Sequence, residues 1–264
     1  MSFIDGLKLE KQGCALVMTM SNPGRRNAFY AEMRARMITA MRESAADNDI
    51  RAIILTGADG HFCAGADLQR SAANANAPKT PMTVRENMKQ VHNLLRGITQ
   101  GSKPFIAAVE GDAFGAGLSM TAASDRVFVS KTARFGAAFS KIGIIPDTGL
   151  MYTLPQRVGM ACAKDIMFIG EPFSGEKAFQ IGLADEQVEP GKALEAALAY
   201  AQKFADLAPT AIGLTKAALA NGITSIDDVM RVELDYLATV VMSADASEGI
   251  LAFKEKRKPK FTGN

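Results

Sequence analysis

Two short apolar runs that lead directly into glycine-rich loops constrain the fold of this chain most strongly. The run AIILT at 52–56 precedes GADGHFCAGADL, and the run FIAAV at 105–109 precedes EGDAFGAG and the small-residue stretch LSMTAAS. Short apolar runs bounded by glycine predict buried strands. Strands of this kind that alternate with helical patterns are typical of a sheet covered by helices, so we predict an α/β fold.

The rest of the chain repeats this alternation and then becomes helical. Further strands are predicted at 15–20 and 126–129, helices at 27–46 and 82–98, a mobile loop at 71–81, and C-terminal helices at 193–205, 210–220 and 226–243. The segment QVEPGK at 187–192 interrupts the pattern. We therefore predict a core of residues 1–190 and a C-terminal helical region of residues 191–264.

Composition excludes several classes of function. The 264 residues are 48% hydrophobic and 22% charged with a net charge of +2, so no overall field favours nucleic acid or an anionic membrane. There is no apolar run of membrane-spanning length, and the N-terminal MSFIDGLKLEKQG lacks the pattern of a signal peptide. We expect a cytoplasmic protein without a nucleic-acid or membrane partner.

The cysteines and histidines argue against disulfide bonds and a metal site. Cys14, Cys63 and Cys162 are widely spaced and form no CxxC pair. His61 and Cys63 could supply two metal ligands, but with His92 as the other histidine nothing completes the set. We predict reduced thiols and no bound metal.

The two glycine-rich loops have two possible uses. Small residues let a ligand approach the backbone, and a helix N-terminus offers unpaired N–H donors, so two converging loops could bind a negative oxygen. The same residues also permit close packing of helix on strand. The loops lack the GxGxxG and GxxxxGK[ST] spacings of nucleotide sites and the GxSxG spacing of serine hydrolases.

An acidic residue lies inside an apolar segment further along the chain. In KIGIIPDTGLMYTLP, at 141–155, Asp147 follows two isoleucines and a proline and precedes Leu150. An ionised carboxylate is costly to bury, so such a residue is usually paired, exposed at a turn or chemically active. The Pro-Asp-x-Gly order is good turn chemistry, and both interpretations stay open at this point.

Four longer blocks carry a family resemblance. FCAGADL, KPFIAAVEGDAFGAGLSMTAASDRV, ARFGAAFSKIGIIPDTG and EGILAFKEKRKPKF resemble, in order, the enoyl-CoA hydratase/isomerase (crotonase) family, from about residue 15 to the C-terminus. The resemblance implies a spiral of ββα units, followed by helices that build trimers or dimers of trimers. It also implies an acyl-CoA thioester substrate, with no cofactor beyond the CoA moiety. The thioester oxygen would be held by the backbone N–H groups of Ala66 and Ala116.

The chain departs from the hydratases of this family. Their two glutamates correspond to Ser119 and Phe139 here, which cannot do that chemistry. Asp147 instead matches the acid of the family's isomerases and resembles most the isomerases of aromatic-acid catabolism. A double-bond shift needs one base, and apolar neighbours such as Ile144, Ile145 and Leu150 would raise the pKa of an aspartate to a useful value.

The resemblance also implies the residues that bind CoA. These are Arg25 and Arg26 with the stretch Ala64, Gly65, Ala66, Asp67 and Leu68, together with Phe253 near adenine and Lys256 at a phosphate of CoA bound to the same or a neighbouring subunit. The basic tail that contains Lys256 could equally be a solvated end or a nucleic-acid contact.

Three alternative functions remain open. His92 could be a packed or surface histidine, or it could act with Asp147 as in the family's hydrolytic aroyl-CoA dehalogenases. A hydratase would need another acid, such as Glu110 or Asp112. The chain could also be an acyl-CoA or RNA binder that has lost catalysis.

Overall fold

The computed structural model describes residues 3–73 and 80–264, with side chains described for all of these except 71–73. The strands are β1 (Leu7–Gln12), β2 (Ala15–Met20), β3 (Ala52–Gly57), β4 (Phe105–Val109), β5 (Asp112–Phe114), β6 (Arg126–Ser130), β7 (Arg134–Gly136), β8 (Phe173–Ser174) and β9 (Glu186–Val188). The helices are α1 (Ala31–Ala46), α2 (Leu68–Ala73), α3 (Pro81–Gln100), α4 (Ala116–Ala123), α5 (Leu150–Val158), α6 (Met160–Ile169), α7 (Gly175–Gln180), α8 (Ala193–Ala201), α9 (Pro209–Ala220), α10 (Ile226–Val232), α11 (Ala238–Val241) and α12 (Ala244–Glu255).

The strands form two sheets, and the predicted α/β fold is confirmed. The larger sheet has the order β1-β2-β3-β4-β6-β9, and it is parallel except for the β1–β2 hairpin. The smaller sheet has the order β5-β7-β8. β4 and β6 lie in the large sheet, while β5 and β7, which follow them in the chain, lie in the small one. The chain therefore winds between two sheets and packs helices outside them.

Helices or loops cover both faces of the large sheet, which explains its continuous apolar strands. In β4, Phe105, Ala107 and Val109 belong to the main core, whereas Ile106 and Ala108 belong to a second core on the other face. The second core is completed by alanines of α8. Alternate residues of one strand thus point into different cores. Because both cores are apolar, the strand does not alternate between apolar and polar residues.

Two of the sequence predictions need correction at their boundaries. Helix α1 begins at Ala31 rather than at residue 27, because Phe29 forms a parallel bridge with Ala66. Arg26 and Asn27 also adopt positive φ angles of 47° and 58°, which are incompatible with a helix. The predicted loop at 71–81 mostly lies outside the described residues; α2 ends at Ala73 and α3 begins at Pro81.

The three predicted C-terminal helical segments are present, although their ends differ, and α12 follows them without having been predicted. Helix α8 stops at Ala201 and continues as a 3₁₀ turn to Phe204, and a π-helical turn at Glu233–Leu237 joins α10 to α11. Because α8 packs on the sheet, the helical region contacts the core directly. The division at residue 190 stays a prediction.

An ion pair between a buried lysine and an exposed aspartate fixes α9 to the core. Lys216, which is 9% exposed, donates from Nζ to Oδ2 of Asp125 at 2.5 Å and to the carbonyl of Lys103 at 3.0 Å. The same Asp125 oxygen accepts the backbone N–H of Phe105 at 2.6 Å, at the start of β4. Burial lowers the pKa of Lys216, whereas Asp125 raises it and opposes that effect.

We predict that Lys216→Met destabilises the protein by about 1–2 kcal/mol, because it removes the hydrogen bonds of a buried ammonium to Asp125 and to the carbonyl of Lys103. The free energy of unfolding in urea measures this cost. The matched control is Lys177→Met at an exposed lysine, where the change should stay within about 0.5 kcal/mol. Equal effects of the two substitutions would show that the ion pair contributes nothing.

Candidate active site

Backbone hydrogen bonds bring the two glycine-rich loops together. Cys63 donates its N–H to the carbonyl of Asp112 at 2.8 Å, and Phe114 donates to the carbonyl of Cys63 at 2.9 Å. These bonds form a parallel bridge between Cys63 and Ala113. The loop after β3 is thereby extended along β5, which ends just before helix α4.

Two glycines then allow the loops to touch. Gly65 has a φ of +98° and Gly115 a φ of +49°, both in the left-handed region that side chains disfavour. A Cβ atom at Gly115 would lie 3.7 Å from the Cα of Gly65, so the two backbones are in direct contact. Ala66 and Ala116, the residues that follow, are therefore neighbours in space.

The N–H groups of Ala66 and Ala116 are both available. Around Ala66, the carbonyl of Gly65 and the N–H of Asp67 bond to Phe29, so the N–H of Ala66 faces the other way. Ala116 is the first residue of α4, where an N–H has no partner within the helix. No acceptor contacts either N–H among the described residues. Two free donors at a helix N-terminus can hold a negative oxygen.

Asp147 is tied to the same helix. Ser119, which is fully buried one turn into α4, has its Oγ 3.2 Å from the carbonyl of Asp147 and 3.1 Å from that of Gly115. The turn continues through Thr148 and Gly149, both with positive φ, into α5. The segment that carries Asp147 thus lies within a helical turn of the free N–H of Ala116.

The side chain of Asp147 is half-buried and weakly paired. Burial raises its pKa above the ordinary value of an aspartate, while a 3.1 Å hydrogen bond from Thr148 Oγ1 opposes the shift. The predicted apolar environment is only partly right. Leu150 belongs to the core, but Ile144 and Ile145 are 50% and 73% exposed in the single chain.

The two positions that correspond to hydratase glutamates are closed. Ser119 is engaged as described, and Phe139 is buried with its ring close to Gly115. The acids named as substitutes are also engaged. Glu110 accepts the N–H of Ala193 at the start of α8, and Asp112 bonds to arginines. Asp147 thus lies on a segment bonded to α4, and no ion pair to its carboxylate is found among the described residues.

A groove of about 320 Å³ lies beside the first loop. It brings together most of the predicted CoA-binding residues, since its lining consists of Gly24, Arg25, Arg26, Ala28, Ala64, Ala66, Asp67, Leu68 and Gln69. Gly65 is buried beneath it. Arg25 bonds to Gln69 and lies 3.9 Å from Asp67, so the groove carries cations next to one of the free donors.

The structure does not bring Phe253 and Lys256 to this groove within the single chain. Phe253 is 86% exposed on α12, and Lys256 caps that helix in a left-handed conformation with φ of 56°. The basic tail folds back instead of extending. Arg257 bonds to Glu248 at 2.6 and 2.8 Å, and the carbonyl of Phe261 accepts from Arg51 at 2.8 Å.

His92 is exposed on α3 and lines a different, larger cavity of about 1150 Å³. This cavity lies between α3, α5 and α9, with Tyr152 and Thr215 on its other walls. Neither Asp147 nor the residues of the 320 Å³ groove lie among its lining residues. No hydrogen bond or ion pair joins His92 to Asp147 among the described residues, and a joint role for the two stays a prediction.

The sequence analysis did not predict the role of two residues that shape the site. Buried Asn27 donates to the carbonyls of Ala58 at 2.8 Å and His61 at 2.7 Å and so fixes the first loop. Asp112 holds Arg26 and Arg134. A signal existed for Asp112, which is the one charged residue in the run GDAFGAG, whereas Asn27 directly follows two arginines and does not stand out.

Within the described ranges, no three histidine, cysteine or acidic side chains are grouped as metal ligands would be. Over the same ranges, none of the helices has the length and apolarity to cross a bilayer.

The fold that winds between two sheets is shared with solved enoyl-CoA hydratases. The enoyl-CoA hydratase/isomerase family model matches residues 10–264, and the chain belongs to this family of enzymes, within the crotonase superfamily. It is 34% identical to the 1,2-epoxyphenylacetyl-CoA isomerase of Escherichia coli, over 94% of this chain and 95% of that protein. It is also 34% identical to a putative enoyl-CoA hydratase of Thermus thermophilus, over 95% and 98% of the two chains. The crystal structure of an enoyl-CoA hydratase from Polaromonas sp. JS666 matches with a TM-score of 0.88 and 32% identity, covering 97% of this chain and 99% of that one.

We predict that Asp147→Asn stabilises the protein slightly at pH 7. Because burial raises the folded-state pKa of Asp147, its charge opposes folding above that pKa, and the cost vanishes as the pH falls below the unfolded value. Urea unfolding at pH 7 and at pH 3 measures the difference. Asp112→Asn is the control with the opposite sign: burial raises that pKa, but Arg26 and Arg134 lower it overall, so its carboxylate stabilises the fold at pH 7.

Proposed function

We propose that the protein is an acyl-CoA isomerase that shifts a double bond, or isomerises a ring, next to the thioester, with Asp147 as the base. The observation that carries the proposal is the half-buried carboxylate of Asp147 on a segment bonded to α4, while the two hydratase positions hold Ser119 and Phe139. A site with a single catalytic carboxylate suits a reaction that moves a proton within the substrate and adds no water.

The steps follow from this arrangement. The carboxylate of Asp147 removes a proton from the carbon beside the thioester, and the electron pair moves into the carbonyl to give an enolate. The N–H groups of Ala66 and Ala116 hold the enolate oxygen. The carboxylic acid then returns the same proton two carbons away, the carbonyl re-forms, and the double bond is now conjugated with it.

Two physical terms support this chemistry. An aspartate with a raised pKa is a stronger base than a solvated one, which favours removal of a weakly acidic carbon proton. Fixed backbone donors stabilise the charge that develops, and in enzymes one such donor contributes roughly 3–4 kcal/mol. Alanine at both positions is no obstacle, since the donors belong to the backbone.

The CoA part of the substrate is proposed to bind along the groove of about 320 Å³. Arg25 and Arg26 would contact phosphate, and the stretch Ala64–Leu68 would contact the pantetheine arm. Phe253 and Lys256, both exposed, would reach the adenosine end from a neighbouring subunit. The proposal includes no cofactor beyond the CoA moiety, and it places the protein in the cytoplasm, consistent with three free cysteines.

Relatives carry both isomerase and hydratase names, so the similarity alone does not choose between them. The engaged state of Glu110 and Asp112 counts against a hydratase. A hydrolytic enzyme with His92 is less well supported, because His92 lines a separate cavity. An RNA binder is disfavoured by the net charge of +2 and by the ion pairs of Arg257 in the tail.

We predict that the purified protein converts 3-enoyl-CoA to the conjugated 2-enoyl-CoA and that Asp147→Asn lowers kcat by at least about 100-fold, the usual contribution of a general base. The affinity for CoA should stay within about twofold, because Asp147 lies outside the phosphate-binding groove. The increase in absorbance of the conjugated thioester gives the rate, and calorimetry gives the affinity.

The control for this experiment is Asp185→Asn, at a carboxylate that bonds to Arg157 away from the site and should keep its rate. A variant at position 147 that retains more than a tenth of the rate would exclude Asp147 as the base. In the wild type, kcat should fall as the pH drops through the raised pKa of Asp147, because only the ionised form accepts a proton. Rapid hydration of crotonyl-CoA would favour the hydratase instead.

The C-terminal helices are proposed to build a trimer, or a dimer of trimers. An apolar stripe runs along α10, the π turn and α11, and all of its residues are more than half exposed in the single chain: Ile226, Met230, Leu234, Leu237 and Val241. Their spacing places them on one side of a helix. A contiguous exposed stripe of this kind marks a surface that another chain covers.

We predict that Leu234→Glu with Leu237→Glu converts the assembly to monomers, since burial of two carboxylates in the contact is costly. Light scattering after size-exclusion chromatography measures the mass. Asp235→Lys, on the far side of the helix, is the control and should leave the mass unchanged. A wild-type protein that elutes as a monomer would contradict the proposed assembly.

A further inference from the structure

One buried carboxylate lies behind the phosphate end of the groove. Asp112, in β5, is 1% exposed. Its Oδ2 accepts from Nη1 of Arg26 at 2.8 Å, and its Oδ1 accepts from Nε and Nη2 of Arg134 at 3.0 and 2.7 Å. The Nδ1 atom of His61 lies 3.6 Å from Oδ2 and has no hydrogen-bond partner. A single acid thus holds two guanidinium groups, with an imidazole beside it.

The two arginines differ in what they face. Arg26 lines the groove, whereas Arg134 is not among the groove's lining residues. The side chain of Arg26 is 59% exposed although it bonds to a buried acid. A guanidinium has five N–H donors, and Asp112 uses one of those on Arg26. No other acceptor for them is found among the described residues, so these donors can bind an anion that enters the groove.

The backbone at Arg26 and Asn27 adopts a strained conformation. Arg26 and Asn27 adopt positive φ angles of 47° and 58°, a conformation that residues other than glycine disfavour. Asn27 compensates with buried side-chain bonds to the neighbouring loop, and the carbonyl of Arg26 accepts the N–H of Ala64 at 2.9 Å. Both ends of the Arg26 side chain are therefore fixed before any ligand arrives.

We propose that Asp112 is a positioning residue that holds the guanidinium of Arg26 in place to bind phosphate, and so makes the enzyme selective for CoA thioesters over pantetheine thioesters. This inference rests on the proposed acyl-CoA function. A long flexible cation loses side-chain entropy when it binds phosphate, and a guanidinium already held by a buried acid has lost most of it before binding.

The direction in which Asp112→Asn changes KM distinguishes positioning of Arg26 from long-range electrostatic attraction. Asp112→Asn removes a negative charge and makes the groove more positive, so long-range attraction alone predicts a lower KM for an anionic substrate. Loss of positioning predicts a higher KM, by about tenfold if the contact from Arg26 to phosphate is lost. The two explanations therefore move the same quantity in opposite directions.

The experiment compares one acyl group carried by CoA and by pantetheine. Asp112→Asn and Arg26→Gln should each raise KM for the CoA thioester by about tenfold and leave kcat within about twofold, because the acyl end is untouched. Neither should change kcat/KM for the pantetheine thioester, which has no phosphate at that end. The double variant should be no worse than Arg26→Gln alone, since both changes remove one interaction.

Arg134→Gln is the matched control, because it removes a cation from the same carboxylate without touching the groove. It should leave KM within about twofold. Arg26→Gln changes an exposed side chain and keeps the test valid if Asp112→Asn fails to fold. An unchanged or lower KM in Arg26→Gln, or in a folded Asp112→Asn, would overturn the inference, as would equal losses with both thioesters.

Calorimetric titration of CoA into the same variants tests binding without turnover. A wild type that binds CoA about tenfold more tightly than either variant supports the positioning role, even if the proposed isomerase reaction is wrong. Equal affinities of wild type and variants overturn it. Failure of the wild type to bind CoA at all would refute the proposed function itself.

Discussion

The contact between Gly65 and Gly115 is the constraint on which the site depends. Each glycine ends an extended segment in a left-handed conformation, and the two backbones meet with no side chain between them. This contact is what makes Ala66 and Ala116 neighbours. A side chain at Gly65 would press on the carbonyl oxygen of Phe114 at 3.2 Å, and one at either glycine would strain a backbone with positive φ. The ββ winding of the chain is the means by which two sheets bring these loops together.

Around this contact, several residues that the proposed chemistry needs lower the stability of the fold. Asp147 is left half-buried with one hydroxyl partner, and its charge opposes folding at neutral pH. Positive φ angles at Arg26, Asn27 and Thr148 add backbone strain on the loops that border the groove and Asp147. The rigid parts lie elsewhere, in strands buried on both faces and in the ion pair of Lys216. The strained backbone thus lies in the loops around the site, whereas the well-packed strands lie in the core.

Much of this arrangement could be predicted from the sequence. The runs at 52–56 and 105–109 form strands of the large sheet, where both faces are covered and every side chain of a run can be buried. The glycine-rich segments that follow them form paired loops, as predicted. The short strands β5, β7, β8 and β9 could not be predicted, since two or three residues carry no period. The exposure of Ile144 and Ile145 also escaped prediction, because composition does not show which apolar residues a single chain leaves uncovered. The exposure of His92 depended on tertiary packing in the same way.

Ser119 has a consequence for how this scaffold could diverge. The residue stands where a family hydratase has its first glutamate, and here its hydroxyl links α4 to the backbone of Asp147. A glutamate installed at that point would have to displace the segment that carries the aspartate. Water addition and proton shuttling would then compete for one buried position, so a generalist intermediate that performs both well is hard to build. Ancestral reconstruction or laboratory evolution along this route should pass through variants poor at both reactions.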